Sequence, residues 1–87
     1  MSTSYSVLLR PAAQRDLDRL PPAIYRRVTE TLIKLEQEPR PRGSKKLRVG
    51  TNEWRLRVGA YRVLYEVDDK ARLVRVFRIR HRREVYR

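Results

Sequence analysis

Apolar residues recur at helical spacing in the first half of the chain. Residues 5–9 predict a short strand, which ends before Pro11. A helix is predicted to begin at Pro11, because proline is tolerated in the first turn of a helix. The spacing of the apolar residues predicts that this helix buries Ala13, Leu17 and Leu20. The proline pair at 21–22 ends this helix. A second apolar stripe then predicts another helix with Ile24, Val28, Leu32 and Leu35 on its buried face.

The hydrophobic period changes to two after the Pro/Gly-rich break at residues 39–43. Two runs of alternating residues, 53–58 and 61–67, are separated only by Gly59 and Ala60. A two-residue connection with glycine first is typical of a type II′ hairpin turn. A polar loop at 68–71 precedes a third strand over 73–80, and we expect a shorter strand near 46–49 before the hairpin.

This order of elements predicts an α+β fold. The N-terminal strand is followed by a two-helix hairpin, which we expect to pack on one face of a small, mostly antiparallel sheet of about four strands. The chain has 87 residues, enough for one modest core. We therefore predict a single domain over residues 1–87.

The charge of the chain is high and unevenly distributed. The formal net charge is +12, and 18 of the 22 cationic residues are arginines. Residues 1–39 have a net charge of +1, whereas residues 40–87 have a net charge of +11. Arginine grips phosphate oxygens two at a time, so a polyanion such as nucleic acid is the expected partner.

Several classes of protein are excluded by composition. The chain has no cysteine and one histidine, so disulfides, thiol catalysis and a multi-histidine metal site are not expected, and we predict no metal or other cofactor. No apolar run exceeds three residues, so we predict no membrane span and no signal peptide. The expected location is the cytoplasm.

The predicted hairpin places arginines on one face of the sheet. If Trp54, Tyr65 and their apolar neighbours point towards the helices, then Arg55, Arg57 and Arg62 point the other way on adjoining strands. Side chains of like charge on neighbouring strands repel one another unless an anion or a carboxylate lies between them. We therefore interpret this face as a phosphate-binding surface.

Three segments carry a resemblance to a known family: Lys-Lys-Leu-Arg at 45–48, the hairpin at 54–66 and His-Arg-Arg-Glu-Val-Tyr at 81–86. Together they resemble the RelE/ParE superfamily of type II toxin–antitoxin toxins, and more narrowly its RelE-type mRNA interferases. The likeness covers almost the whole chain. It implies a RelE-like fold and a ribosome-dependent, metal-independent endoribonuclease, which cleaves mRNA in the ribosomal A site through attack by the RNA 2′-hydroxyl.

The resemblance also implies roles for particular residues. Arg55 and Arg57 match basic positions of the strand before the turn, and Arg62 matches an arginine that stabilises the phosphoryl transition state. A further arginine corresponds to Arg80 or Arg82, which the spacing leaves undecided. The implied aromatic group is Tyr86, which would stack on a base or orient the 2′-hydroxyl. We expect further RNA contacts from Lys45, Lys46, Arg48, Arg78 and Arg83.

The proton acceptor is left open by the sequence. Family sites carry lysines where this chain has Arg55 and Arg57, and an arginine effectively cannot lose its proton. The alternatives are Tyr86, His81, Glu53 and Glu66, while some relatives use an acid where this chain has Lys45 or Lys46.

Binding partners, and two alternative functions, are also expected for this chain. The resemblance implies a cognate antitoxin with an acidic toxin-binding segment, together with the ribosome, its rRNA and mRNA, and operator DNA for the toxin–antitoxin complex. A ParE-type toxin of the same fold would instead inhibit DNA gyrase without cleaving RNA. A third possibility is a catalytically weak nucleic-acid-binding or autoregulatory module.

Overall fold

The computed structural model of the chain describes residues 4–85, which form a five-stranded sheet and three helices. The strands are β1 (Ser6–Leu9), β2 (Lys45–Lys46), β3 (Glu53–Val58), β4 (Tyr61–Asp68) and β5 (Leu73–His81). The helices are α1 (Pro11–Asp18), α2 (Pro22–Leu35) and α3 (Arg82–Val85). The predicted α+β order is confirmed, with five strands rather than about four.

The first two helices begin where prolines set the backbone. Each starts with proline in its first turn, where the missing N–H would have had no helical acceptor. The first helix ends at Asp18, two residues earlier than its apolar spacing predicts. None of the helices within residues 4–85 is long and apolar enough to cross a membrane.

The strand order in the sheet is β1-β5-β4-β3-β2. The N-terminal strand runs parallel to β5, and the other three pairings are antiparallel, so the sheet is mixed. Strands β3, β4 and β5 are consecutive neighbours because each follows the last through a short turn. The strands of the charged second half, β2 to β5, therefore lie side by side in the sheet.

The turn between β3 and β4 fixes the register of the hairpin. Gly59 has a φ of +59°, and Ala60 does not have a positive φ, as in a type II′ turn. Val58 therefore lies opposite Tyr61, and Arg57 lies opposite Arg62. The predicted turn and strand parity are both confirmed.

A β-bulge sets the register between β4 and β5. Leu64 pairs with Arg78 whereas Tyr65 pairs with Val76, so Phe77 is the extra residue on β5. Continuing the register of Tyr65 and Val76 without a bulge would place Ile79 opposite Arg62. With the bulge, Arg80 takes that place.

The hydrophobic core lies between the sheet and the first two helices. The buried residues are Ala13, Leu17, Val28, Leu32, Leu35, Leu56, Val58, Val63, Tyr65, Val67, Val74, Val76 and Ile79. Trp54 and Tyr61 are half-buried against this cluster. Most predicted core positions of the helices and the hairpin are buried, whereas the predicted Leu20 and Ile24 are only half-buried against the core, and Leu20 lies beyond the end of α1. The polar residues of β3 and β4 are left on the opposite, open face of the sheet.

Candidate nucleic-acid interface

Three arginines stand side by side across the sheet. Arg62, on β4, lies opposite Arg57 of β3 on one side and opposite Arg80 of β5 on the other. Neighbouring strands are about 4.8 Å apart, so the three side chains leave the sheet close together. We call Arg57, Arg62 and Arg80 the arginine row.

The arginine row borders a shallow depression of about 240 Å³, lined by Gly43, Lys45, Arg55, Arg57 and Arg62. We call these five residues the arginine depression. Strand β2 contributes to it because Lys45 lies opposite Arg55. Gly43, with a φ of +97°, allows the chain to turn before β2 in a conformation that other residues rarely adopt. The predicted Arg55, Arg57 and Arg62 are thus brought together with Lys45.

Hydrogen bonds hold the two outer members of the arginine row. Arg57 donates from Nε to the carbonyl oxygen of Gly59 at 3.0 Å. Arg80 donates from Nη2 to Oε2 of Glu84 at 3.4 Å, while its Nε is shielded from solvent with no hydrogen-bond partner among the described residues. Guanidinium groups positioned in this way favour an anionic ligand such as phosphate.

Glu84 connects the short helix α3 to the arginine row. Its Oε1 accepts the backbone N–H of His81 at 3.0 Å, and Nδ1 of His81 accepts the N–H of Arg83 at 3.2 Å. The backbone N–H of His81, together with the positive charge of Arg80, lowers the pKa of Glu84. Neither α3 nor this role of Glu84 is predicted in the sequence analysis. The three-residue spacing from His81 to Glu84, typical of a capping box, could have indicated both.

The other C-terminal candidates lie apart from the arginine depression. His81 packs edge-on against Tyr61, with ring centroids 5.2 Å apart, on the side of the sheet that carries the helices. Arg82 is exposed at the start of α3, where its N–H bonds to the carbonyl of Ala60 at 2.7 Å, and Arg83 is exposed on the same helix. Tyr86 lies outside the described residues.

Strand β2 turns its two lysines to opposite sides. Whereas Lys45 lines the arginine depression, Nζ of Lys46 lies 5.7 Å from the centroid of the Trp54 ring. Arg40 also lies 5.7 Å from this ring. Arg48 is exposed beyond the end of the strand. The predicted basic residues of this region therefore do not share one surface.

Arg78 forms an ion pair within the fold. Its Nε and Nη2 donate to the two carboxylate oxygens of Asp16, at 2.8 and 3.2 Å, and the N–H of Ile79 donates to the same group at 2.9 Å. Burial alone would raise the pKa of Asp16, but these hydrogen bonds and the charge of Arg78 lower it. The contact joins α1 to β5, so Arg78 has a structural role in addition to its predicted RNA contact.

The two candidate carboxylates lie at the other end of the hairpin. Glu53 and Glu66 are cross-strand neighbours, each four residues from a member of the arginine row. Four residues of strand span about 13 Å. Glu66 also accepts hydrogen bonds from Arg10 at 3.4 Å and from Arg75 at 3.2 Å. Neither carboxylate lines the arginine depression.

Residues 4–85 contain no group of three or more His, Cys, Asp or Glu side chains that could hold a metal ion. Fold and site together define a small α+β protein whose open sheet face carries clustered guanidinium groups. The chemistry available there is charge stabilisation at phosphate oxygens by fixed hydrogen-bond donors.

Comparison with known proteins agrees with this class. Residues 7–86 match the family model of the ParE toxin of type II toxin–antitoxin systems, parDE. The chain is 37% identical to Toxin RelG of Mycobacterium tuberculosis over 84 residues, which are 95% of this chain and 97% of that protein.

Two solved structures extend the likeness. A chain in the toxin–antitoxin complex RelBE2 from Mycobacterium tuberculosis is 38% identical, with a TM-score of 0.78, over 90% of this chain and 98% of that one. A chain in the archaeal RelE–RelB complex from Pyrococcus horikoshii is 31% identical, with a TM-score of 0.79, over 91% of this chain and 96% of that one. The chain therefore belongs to the RelE/ParE superfamily, and it is a toxin of a type II toxin–antitoxin system.

Proposed function

We propose that this toxin is a ribosome-dependent endoribonuclease that cleaves mRNA in the ribosomal A site without a metal ion. The arginine row is the observation that carries the proposal. It places Arg57, Arg62 and Arg80 on three adjacent strands, where repulsion between like charges is relieved by a bound phosphate. A protein that only had to fold would have little reason to set three arginines side by side.

The arginines would stabilise charge on the phosphoryl group while the RNA supplies its own nucleophile. As the 2′-oxygen attacks phosphorus and the bond to the 5′-oxygen breaks, negative charge develops on the non-bridging oxygens. Arg62 occupies the centre of the arginine row, so we assign it the main stabilising role. Arg80 is preferred to Arg82 as the C-terminal contributor, because Arg80 lies opposite Arg62 and Arg82 is exposed on α3.

The surrounding charge suits docking onto a folded RNA. The net charge of +12 would hold the toxin against rRNA phosphates, with the predicted contacts at Lys46, Arg48, Arg78 and Arg83 outside the arginine depression. Tyr86 would then stack on a base or orient the 2′-hydroxyl.

A cognate antitoxin is the proposed protein partner. The two similar solved chains come from structures of toxin–antitoxin complexes. An acidic antitoxin segment would complement the basic second half of this chain, and the resulting complex would bind operator DNA. A short acidic reading frame next to this gene would identify the antitoxin.

Induced expression followed by mapping of mRNA 5′ ends tests the nuclease function. We expect growth arrest, with new 5′ ends at fixed positions within translated codons and none in untranslated RNA. Arg62→Ala should abolish both, whereas Arg26→Ala, which removes an exposed arginine of α2, should leave both unchanged. Arrest with intact mRNA would contradict the proposal.

A second candidate is inhibition of DNA gyrase, favoured by the match to the ParE toxin family model. In that case induction relaxes plasmid supercoiling while translated mRNA stays intact, and Arg62→Ala still arrests growth. Absence of arrest from all variants would instead favour a nucleic-acid-binding or autoregulatory module.

A further inference from the structure

One residue of the arginine depression differs from its neighbours in proton chemistry. Of the residues that line it, Arg55, Arg57 and Arg62 carry guanidinium groups and Lys45 carries an ammonium group. A guanidinium stays protonated in proteins, whereas an ammonium can give up a proton and take one back. The depression therefore contains three groups suited to charge stabilisation and one suited to proton transfer.

RNA cleavage by the 2′-hydroxyl needs a proton at the leaving oxygen. The 5′-oxygen departs as a strongly basic alkoxide unless a nearby acid protonates it as the bond to phosphorus breaks. None of the three lining arginines can supply that proton. Glu53 and Glu66 do not line the depression and lie about 13 Å along their strands from Arg57 and Arg62. Glu66 is in addition already bonded to two arginines.

The pairing of β2 explains why Lys45 faces the arginine depression. It lies opposite Arg55, while the following residue, Lys46, lies opposite Trp54 and contacts that ring from the other side of the sheet. His81 also lies on the side of the helices, against Tyr61. Among the described residues that line the depression, Lys45 is thus the one whose side chain can transfer a proton.

We propose that Lys45 is the general acid that protonates the 5′-oxygen; this rests on the proposed nuclease function. A bond forms between the 2′-oxygen and phosphorus, and the bond between phosphorus and the 5′-oxygen breaks. The ammonium proton of Lys45 passes to the 5′-oxygen, and the 2′-hydroxyl proton passes to solvent water. The neutral amine then recovers a proton from solvent, which leaves a 2′,3′-cyclic phosphate and a 5′-hydroxyl.

A sulfur-substituted substrate separates proton transfer from every other role of Lys45. A thiolate is a far weaker base than an alkoxide, with a thiol pKa of about 8.5, so a 5′-bridging sulfur leaves without protonation. Single-turnover cleavage would be measured on ribosomes programmed with synthetic mRNA that carries either oxygen or sulfur at the scissile 5′ position. The proteins are wild type, Lys45→Arg, which keeps the charge at an exposed position, and the control Lys34→Arg on α2.

With oxygen, we expect Lys45→Arg to cleave about 100-fold more slowly than wild type. With sulfur, Lys45→Arg should match wild type, and Lys34→Arg should match wild type on both substrates. Equal slowing of Lys45→Arg on both substrates, or no slowing on either, would overturn the role of Lys45 while leaving the nuclease function intact. Failure of the wild-type protein to cleave either mRNA would instead refute the nuclease function, and the role of Lys45 with it.

Discussion

The hydroxyl of Tyr65 offers a sharp test of how the core holds the loop that leads to the arginine depression. Tyr65 is 0% exposed, and its hydroxyl donates to the carbonyl oxygen of Pro39 at 2.8 Å. This bond ties the sheet to the segment before β2. Tyr65→Phe removes the donor and leaves the buried carbonyl without it, which should lower the free energy of unfolding by about 1.5 kcal/mol at neutral pH.

The same hydroxyl makes this difference dependent on pH. Burial raises the pKa of Tyr65 from 10.0 to about 12. A hydrogen bond with Ser44 and the charge of Arg40 lower this pKa, but by less than burial raises it. The unfolded chain therefore loses this proton at a lower pH than the folded protein, so stability falls as pH rises. The difference of two pKa units corresponds to at most about 3 kcal/mol, present in full below pH 10 and lost as pH rises through about 12.

Urea unfolding, followed by the fluorescence of Trp54, measures both effects. The chain has a single tryptophan, and it lies opposite Tyr65 in the sheet. Wild type should be the more stable protein at pH 8, and the stabilities of the two proteins should cross near pH 11, because phenylalanine does not titrate. A difference that stays constant from pH 8 to 12, or no difference at pH 8, would refute the assigned burial and hydrogen bond.

Three further predictions address the ion pair, the turn and the charge. Asp16→Asn should lower the free energy of unfolding by about 2 kcal/mol at neutral pH through loss of charged hydrogen bonds, including those to Arg78. Because the pKa of Asp16 is lowered, this loss of stability, measured by urea unfolding, should shrink as pH falls below the ordinary pKa of 3.8. A loss that stays constant with pH would contradict the ion pair. Gly59→Ala should cost about 1 kcal/mol or more, since φ is +59° there, and equal urea midpoints would refute the turn. Binding of free single-stranded RNA should weaken steeply with salt, and Arg62→Ala should reduce the log–log slope by about 0.7; an unchanged slope would mean that Arg62 makes no phosphate contact.

Strand parity and the Gly59 turn explain why much of the arginine face could be predicted from sequence. A two-residue turn leaves one register for the hairpin, so Arg57 had to lie opposite Arg62. The apolar stripes of α1 and α2 likewise indicated the buried face of each helix, because an apolar stripe must be covered. The extent of the domain, residues 1–87, stays a prediction.

The contribution of β5 could not be predicted in the same way. Its register depends on the bulge at Phe77, and no glycine or proline marks that position. The choice between Arg80 and Arg82 therefore stayed open in the sequence, although the bulge places Arg80 opposite Arg62. The ion pair of Arg78 with Asp16 joins residues 62 positions apart, a distance at which sequence pattern carries no information.

Reconstituted cleavage on ribosomes is the most direct test of the proposed function. Purified toxin would be mixed with ribosomes that hold a defined mRNA codon in the A site, and with the same mRNA free in solution. We predict one cut in the A-site codon that yields a 2′,3′-cyclic phosphate and a 5′-hydroxyl, no matching cut in free mRNA, and no cut by Arg62→Ala. Intact mRNA on ribosomes saturated with wild-type toxin, or unchanged cleavage by Arg62→Ala, would contradict the assignment of the arginine row as the catalytic surface.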